Sequence, residues 1–367
     1  MNKLNLKWVS DTIGDEYKQW KKGDVITIQA QTGTGKTYFI KNQLISNMDI
    51  HERMLILANR INLKRQLKKD LLKNMRRPIP KDIKVLDSMT TFDNVVIMSY
   101  QQIDNLAHAR EYGLTSLNLG RYDYIVLDES HYIFADSGFN NKTDYSFREL
   151  VIRRHSNSIK IFISATMEEL KPTINKAVKD IKSDITVKDR CELWNYTTGK
   201  DYSYVDTKYF KSVDDIAITI KNDESKEKWI VFVTKIEDAK YIAEKIEGYK
   251  TTTIITKDTT KNDDLTEIIN NSRFKSQVLL CTKCLDNGIN IEDECVKNIV
   301  IMAWDRITFI QELGRIRQNI EKPYEVNLYI QKKSKKSFTT LINKVYEPKR
   351  NIIKEYKEKK KKPNTPN

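Results

Sequence analysis

Residues Ala30 to Thr37 read Ala-Gln-Thr-Gly-Thr-Gly-Lys-Thr. They follow the apolar run Val25–Ile28 and precede a helical pattern from Tyr38 to Met48. A strand, a glycine-rich loop and a helix in that order make a cradle for phosphate. Gly33 and Gly35 let the backbone curl so that its N–H groups, with those of Thr32 and Thr34, converge on an anion, and the helix N-terminus adds partial positive charge. Lys36 is placed to reach β- and γ-phosphates, and the Thr37 hydroxyl to ligate Mg2+. The first position is Ala30 where the usual loop has glycine.

About ninety residues on, the run Tyr124–Leu127 ends in Asp128-Glu129-Ser130-His131. Ligands of parallel sheets bind at the carboxyl ends of the strands, so this acidic pair is expected to face the phosphate loop. Asp128 would hold the metal ion, directly or through water, and Glu129 would orient and deprotonate an attacking water. A further run, Lys160–Ile163, leads into Ser164-Ala165-Thr166, small hydroxyl residues that can link the acidic site to whatever lies across the cleft.

The elements that must position these groups recur with a clear rhythm. Val25–Ile28, Met54–Leu57, Val95–Met98, Tyr124–Leu127 and Lys160–Ile163 form one series. Trp229–Val233, Thr252–Ile255, Gln277–Leu280, Asn298–Met302 and Glu325–Ile330 form another. Runs apolar throughout, separated by helical patterns, predict strands covered on both faces, as in parallel sheets. Two series predict two α/β domains, with the polar stretch Lys188 to Lys211 as the junction. The expected limits are 1–190, 200–332 and a tail, 333–367.

Composition narrows the class. The chain has 367 residues, 39% hydrophobic and 31% charged, enough for two domains with cores of their own. No apolar stretch approaches the roughly 20 residues of a membrane span, and no membrane partner is expected. Met1 to Ser10 is too short in apolar run for a signal peptide. Four cysteines make no disulfide framework, which fits a reducing cytosol and a cytoplasmic protein. Cys281 and Cys284 have metal-like spacing without a second pair, and are expected at a buried strand end. The net charge is +14, but Lys332 to Lys362 alone holds thirteen Lys or Arg against three Glu, so the rest carries only +4. The charge therefore describes a basic tail, either a solvated helix over Asn351–Lys362 or a contact to phosphate.

Taken in order, these motifs resemble a superfamily 2 helicase of the DExH type. That resemblance implies two tandem RecA-like P-loop domains with parallel sheets and an ATP cleft between them, ATP and Mg2+ as cofactors, and ATP hydrolysis coupled to movement on nucleic acid. Further matches follow the family order. Ala58-Asn59-Arg60, with Leu63 and Gln66, resembles motif Ia, and Ser99-Tyr100-Gln101 the later nucleic-acid motif of the first domain. Trp229–Val233 with Thr234-Lys235 resembles motif IV, and Thr282 to Asn290 motif V. Gln311-Glu312-Leu313-Gly314-Arg315-Ile316-Arg317-Gln318 resembles motif VI. The resemblance implies nucleic-acid contacts at Arg60, Ser99, Gln101, Thr234 and Thr282, with helix caps and solvated loops the alternative at the first three. It implies nucleotide contacts at Gly288 and Gln311 beside Thr32 to Thr37, coupling through His131, Ser164 and Thr166, and arginine fingers at Arg315 and Arg317. DNA is favoured over RNA because the acidic motif is not Asp-Glu-Ala-Asp. An ATP-gated clamp and a motor subunit of a restriction or defence assembly, docked to a protein partner through the tail, are the alternatives.

Motif VI departs from its family. The second arginine ordinarily lies three residues after the first, where this chain has Gln318. If the segment is helical, Arg315 and position 318 share a face and Arg317 points about 200° away. Either the backbone shifts to present Arg317, or Arg315 works with less help.

Overall fold

The computed structural model describes residues 2–58, 61–115, 118–135, 143–152, 158–182, 191–256, 258–259, 262–282 and 290–359. Two sheets organise them. The first has seven strands in the order β3-β4-β2-β5-β6-β1-β7: β1 Val25–Gln29, β2 Met54–Leu57, β3 Thr91–Phe92, β4 Val95–Met98, β5 Tyr124–Asp128, β6 Ile159–Ser164 and β7 Leu193–Thr197. All pairs are parallel except β3 with β4. The second has six parallel strands in the order β10-β11-β9-β12-β13-β8: β8 Val205–Phe210, β9 Lys228–Phe232, β10 Thr252–Ile255, β11 Val278–Cys281, β12 Val296–Ile301 and β13 Val326–Gln331.

Each sheet is buried on both faces. One core of the first sheet gathers Ile26, Ile28, Phe39, Met54 and Ile161, and the other Leu55, Leu57, Ile125, Leu127 and Phe162. Alternate residues of β1, β2, β5 and β6 supply the two faces, which is why those strands read as unbroken apolar runs. The second sheet repeats the arrangement with Ile230, Phe232, Leu279 and Ile299 on one side and Trp229, Val231, Leu280 and Val300 on the other.

The polar junction is more structured than its composition suggests. It adds β7 to the edge of the first sheet and β8 to the edge of the second, so the chain crosses between domains over residues 198–204. The first residues of the chain also depart from the expected division. Leu4 and Leu6 pack in the core of the second domain, and the Leu4 amide donates to the Ile320 carbonyl at 2.9 Å. By Val9 the chain is back on the first domain, where its amide donates to the Thr34 carbonyl at 2.9 Å. Among the described residues no helix is long and apolar enough to cross a membrane.

Candidate nucleotide site between the domains

β1 delivers the chain into the phosphate loop. Gly33 and Gly35 have φ of +90° and +82°, left-handed conformations that favour glycine. Gly35 caps the short helix Lys36–Tyr38, which continues as the π-helical stretch Phe39–Ile45, so Lys36 opens the first turn. Thr34 folds back, its hydroxyl donating to the Gln31 carbonyl at 2.7 Å. Gln31 is in turn clamped to the junction, its Nε2 donating to the Asp201 carbonyl at 2.8 Å and its Oε1 accepting the Asp201 amide at 2.9 Å. The sequence assigned no role to Gln31, and no local pattern could have linked it to Asp201.

β5 lies beside β6, with Asp128 opposite Ile163, and brings the acidic motif to the loop. Asp128, Glu129, Ser130 and His131 are all buried. Glu129 adopts φ of +49°, a costly turn for a residue with a side chain, of the kind that persists at functional sites. Lys36 Nζ lies 2.9 Å from Glu129 Oε1, a buried ion pair. His131 Nδ1 is 2.9 Å from Ser164 Oγ and 3.3 Å from Glu129 Oε2. Ser164 Oγ accepts the Thr166 amide at 3.0 Å and lies 3.3 Å from Thr166 Oγ1. The residues expected to couple the acid to the cleft thus form one continuous chain. Below them the Tyr100 hydroxyl donates to the Asp128 carbonyl at 2.9 Å. Burial first, then the neighbouring Asp128 and Glu129, pushes the Tyr100 phenol well above its ordinary range, so it stays a donor.

The second domain closes over this group. Gln311 Nε2 donates to Glu129 Oε2 at 3.3 Å, and Arg315 Nη2 donates to Gln311 Oε1 at 3.3 Å. At the boundary Arg306 bonds Glu169 at 3.1 Å and also Glu168, both in the first turn of the helix Met167–Lys182. Glu168 is held down to about 2, first by its hydrogen bond from Lys200 and then by those from Gln29 and Arg306.

Motif VI is helical only as far as Leu313, against the expectation of a helix through Gln318. The helix Arg306–Leu313 starts at an Asp305 cap and stops at Gly314. Gly314 and Arg315 turn, and from Ile316 the chain is extended, with Ile316 bridged to Ile291 and the Arg317 amide donating to the Ile291 carbonyl at 2.9 Å. Arg317 therefore does not point away from the cleft. Its Nη2 donates to Asn290 Oδ1 at 2.6 Å, and it lines an 870 Å3 cavity with Gly33, Gly35, Lys36, Thr37 and Asp128. Arg315 is buried, facing Gln311. Gln318 turns its Oε1 to the Tyr324 amide at 3.0 Å.

Thr37 and Asp128 place a hydroxyl and a carboxylate on one cavity wall, a donor set that fits a divalent cation. Among the described residues no three His, Cys, Asp or Glu side chains cluster as an all-protein metal site. Cys281 ends β11 in the core, as a strand-end cysteine should.

The expected polymer contacts separate into kinds. Ser99 is occupied as the cap of the helix Tyr100–Glu111, in a reciprocal pair with Gln102. Gln101 Nε2 donates to the Tyr132 hydroxyl at 3.2 Å, three residues past Glu129. Thr234 is exposed and Thr282 half-buried, at the carboxyl ends of the neighbouring strands β9 and β11. Arg60 and Gly288 lie outside the described residues.

Comparison with known proteins finds a family model in each half of the chain. Residues 5–169 match the family model described as type III restriction enzyme, res subunit, and residues 209–319 the helicase conserved C-terminal domain. No curated protein sequence matches the chain. In fold it is similar to S. cerevisiae Dbp5 bound to RNA and ADP BeF3, at 17% identity and TM-score 0.55 over 87% of this chain and 82% of that one. It is similar also to the DEAD-box helicase Mss116 bound to ssRNA and UDP-BeF, at 16% identity and TM-score 0.58 over 91% and 71%. Escherichia coli DEAH/RHA helicase HrpB matches at 12% identity and TM-score 0.56, over 90% of this chain and 43% of that one.

Proposed function

From the premise that this chain belongs to the superfamily 2 helicases and hydrolyses ATP, we propose that it is a DExH-type motor driven along single-stranded DNA. The observation that carries the reading is the contact of Gln311, from the second domain, with Glu129 of the first at 3.3 Å. Such a contact makes the geometry of the acid depend on closure of the cleft, which is what coupling hydrolysis to domain movement requires.

The ion pair between Lys36 and Glu129 holds both groups idle. Arriving β- and γ-phosphates compete for Lys36 and release Glu129, which Gln311 and His131 keep aimed into the cleft. Glu129 then orients and deprotonates the attacking water. Mg2+, held by Thr37 and Asp128, would neutralise the phosphate charge. Arg317 is the cation that the second domain offers to the transferring phosphoryl group, and Arg315 positions Gln311. Thr234 and Thr282 would grip the sugar–phosphate backbone, and Gln101 would report a bound strand to the acidic motif through Tyr132.

DNA is proposed because the first domain matches a restriction-enzyme model. The RNA in the structural relatives accompanies a likeness of fold alone. A second reading, a motor subunit of a larger assembly, is favoured by that model's description as a subunit and by the exposed tail helices Lys335–Leu341 and Glu347–Lys359. Co-purification from the native host separates it from a solitary enzyme. The ATP-gated clamp is the other alternative, and Arg317 on the cavity wall favours the motor over it. Steady-state ATPase with no polymer, single-stranded DNA, duplex DNA and RNA tests the main proposal. Single-stranded DNA should stimulate most. Stimulation by RNA alone would replace the polymer, and none by any polymer would refute the motor.

A further inference from the structure

Parallel strands bring their carboxyl ends to one edge of a sheet, about 4.8 Å apart. Along that edge of the second sheet, the chain leaves β11 at Thr282, β9 at Thr234, β12 towards Trp304, β13 at Lys332 and β8 at Lys211. Lys235 and Lys333 follow directly, so the edge carries four lysines and two threonines over roughly 19 Å.

Aromatic rings stand among these cations. Trp304 is 45% exposed. Lys333 Nζ lies 4.5 Å from its ring centroid, and the Phe338 ring meets it edge-on at 5.9 Å. Tyr209, also exposed, has Lys332 Nζ 5.4 Å from its centroid. A large ring left half in water beside lysines suits a partner with both anionic groups and flat faces. Two residues on, Arg306 pairs with Glu168 and Glu169 of the first domain, so Trp304 stands where the domains meet. It does not line the nucleotide cavity.

We propose that Trp304 is a stacking platform for a base of single-stranded nucleic acid, with Lys332, Lys333 and Lys211 holding the adjoining phosphates. This deepens the reading of the chain as a nucleic-acid motor and rests on it. Stacking is indifferent to base identity, as a translocating enzyme requires.

The test is binding of fluorescein-labelled oligo(dT) by the full-length parent, Trp304→Ala, Trp304→Phe and Lys333→Ala across a salt series. Trp304→Ala should weaken binding by about 5- to 100-fold without changing the slope of log K against log salt. Trp304→Phe should retain most of the affinity. Lys333→Ala should lower the slope by about 0.7. On an abasic oligomer of equal length the parent and Trp304→Ala should bind alike, which a merely structural role for the ring would not produce. A melting temperature of Trp304→Ala near the parent's shows the fold intact. Parental affinity in Trp304→Ala, or an equal loss on the abasic oligomer, overturns the platform while leaving the motor. Absence of binding by the parent overturns both.

Discussion

Replacing Gly314 with alanine probes the closed cleft at its tightest point. A Cβ there would lie 2.5 Å from Thr32 Oγ1, 3.0 Å from Thr32 Cβ and 3.2 Å from the Ile310 carbonyl. Gly314 has φ of −71°, so alanine strains no backbone and the cost falls across the domains. Restoring an ordinary 3.4 Å separation from the hydroxyl requires motif VI and the phosphate loop to part by about 0.9 Å. Rotation of Thr32 about χ1 does not clear the space, because its Cβ stays in place and would itself lie 3.0 Å from the new methyl. A displacement near 1 Å in a catalytic constellation costs on the order of 10²-fold in rate. Polymer-stimulated turnover of Gly314→Ala should therefore fall about 100-fold, while its melting temperature and ATP affinity stay near the parent's. Thr32→Ala removes the nearest atom, so the double variant should recover part of the loss, giving a coupling term in a double-mutant cycle. Turnover of Gly314→Ala within about twofold of the parent, with no coupling to Thr32, would refute the argument that this approach belongs to the working state.

Lys36→Ala should abolish turnover, whereas Glu129→Gln should keep ATP binding and trap a closed complex; hydrolysis at the parental rate by the latter removes Glu129 as the base. Arg317→Ala should lower stimulated turnover by on the order of 10³-fold with ATP affinity little changed, and a loss under about tenfold would leave Arg317 a partner of Asn290 only. Gln318→Arg should bring no gain, because it breaks the bond to the Tyr324 amide; a faster enzyme would contradict that. Glu168, held down to about 2 first by Lys200 and then by Gln29 and Arg306, is ionised and paired with Arg306 of the second domain above the ordinary carboxylate range and loses that pair as pH falls towards 2. Energy transfer between labels on the two domains should therefore drop over that acid range, and Glu168→Gln should show part of the drop already at pH 7. The site is largely exposed, so salt should shrink the effect.

What could be read in advance follows from where each signal resides. The ten apolar runs all coincide with strands to within two residues, because a strand covered on both faces has no polar alternation to confuse it. β7 and β8 escaped because each lies at a sheet edge with polar residues along it. Trp194, Asn195 and Tyr196 alternate between half-buried and exposed, and Asp206 to Tyr209 are exposed throughout, so neither presents an apolar run. The phosphate loop was legible because its chemistry is packed into eight successive residues. The pairing of Arg306 with Glu168, the reach of Leu4 into the second core and the approach of Gly314 to Thr32 join distant segments, and no local pattern encodes them. Motif VI is a different case, since its stop signal was present. Asp305 caps the helix and Gly314 ends it after eight residues, a glycine where helices commonly terminate. Extending the 3.6-residue period past that glycine turned Arg317 away from the cleft; ending the period there frees the following residues to run extended beside Ile291. The same glycine that stops the helix lacks the Cβ that would strike Thr32. Helix termination and domain closure are thus two demands on one position, and meeting both is what brings Arg317 to the cavity wall.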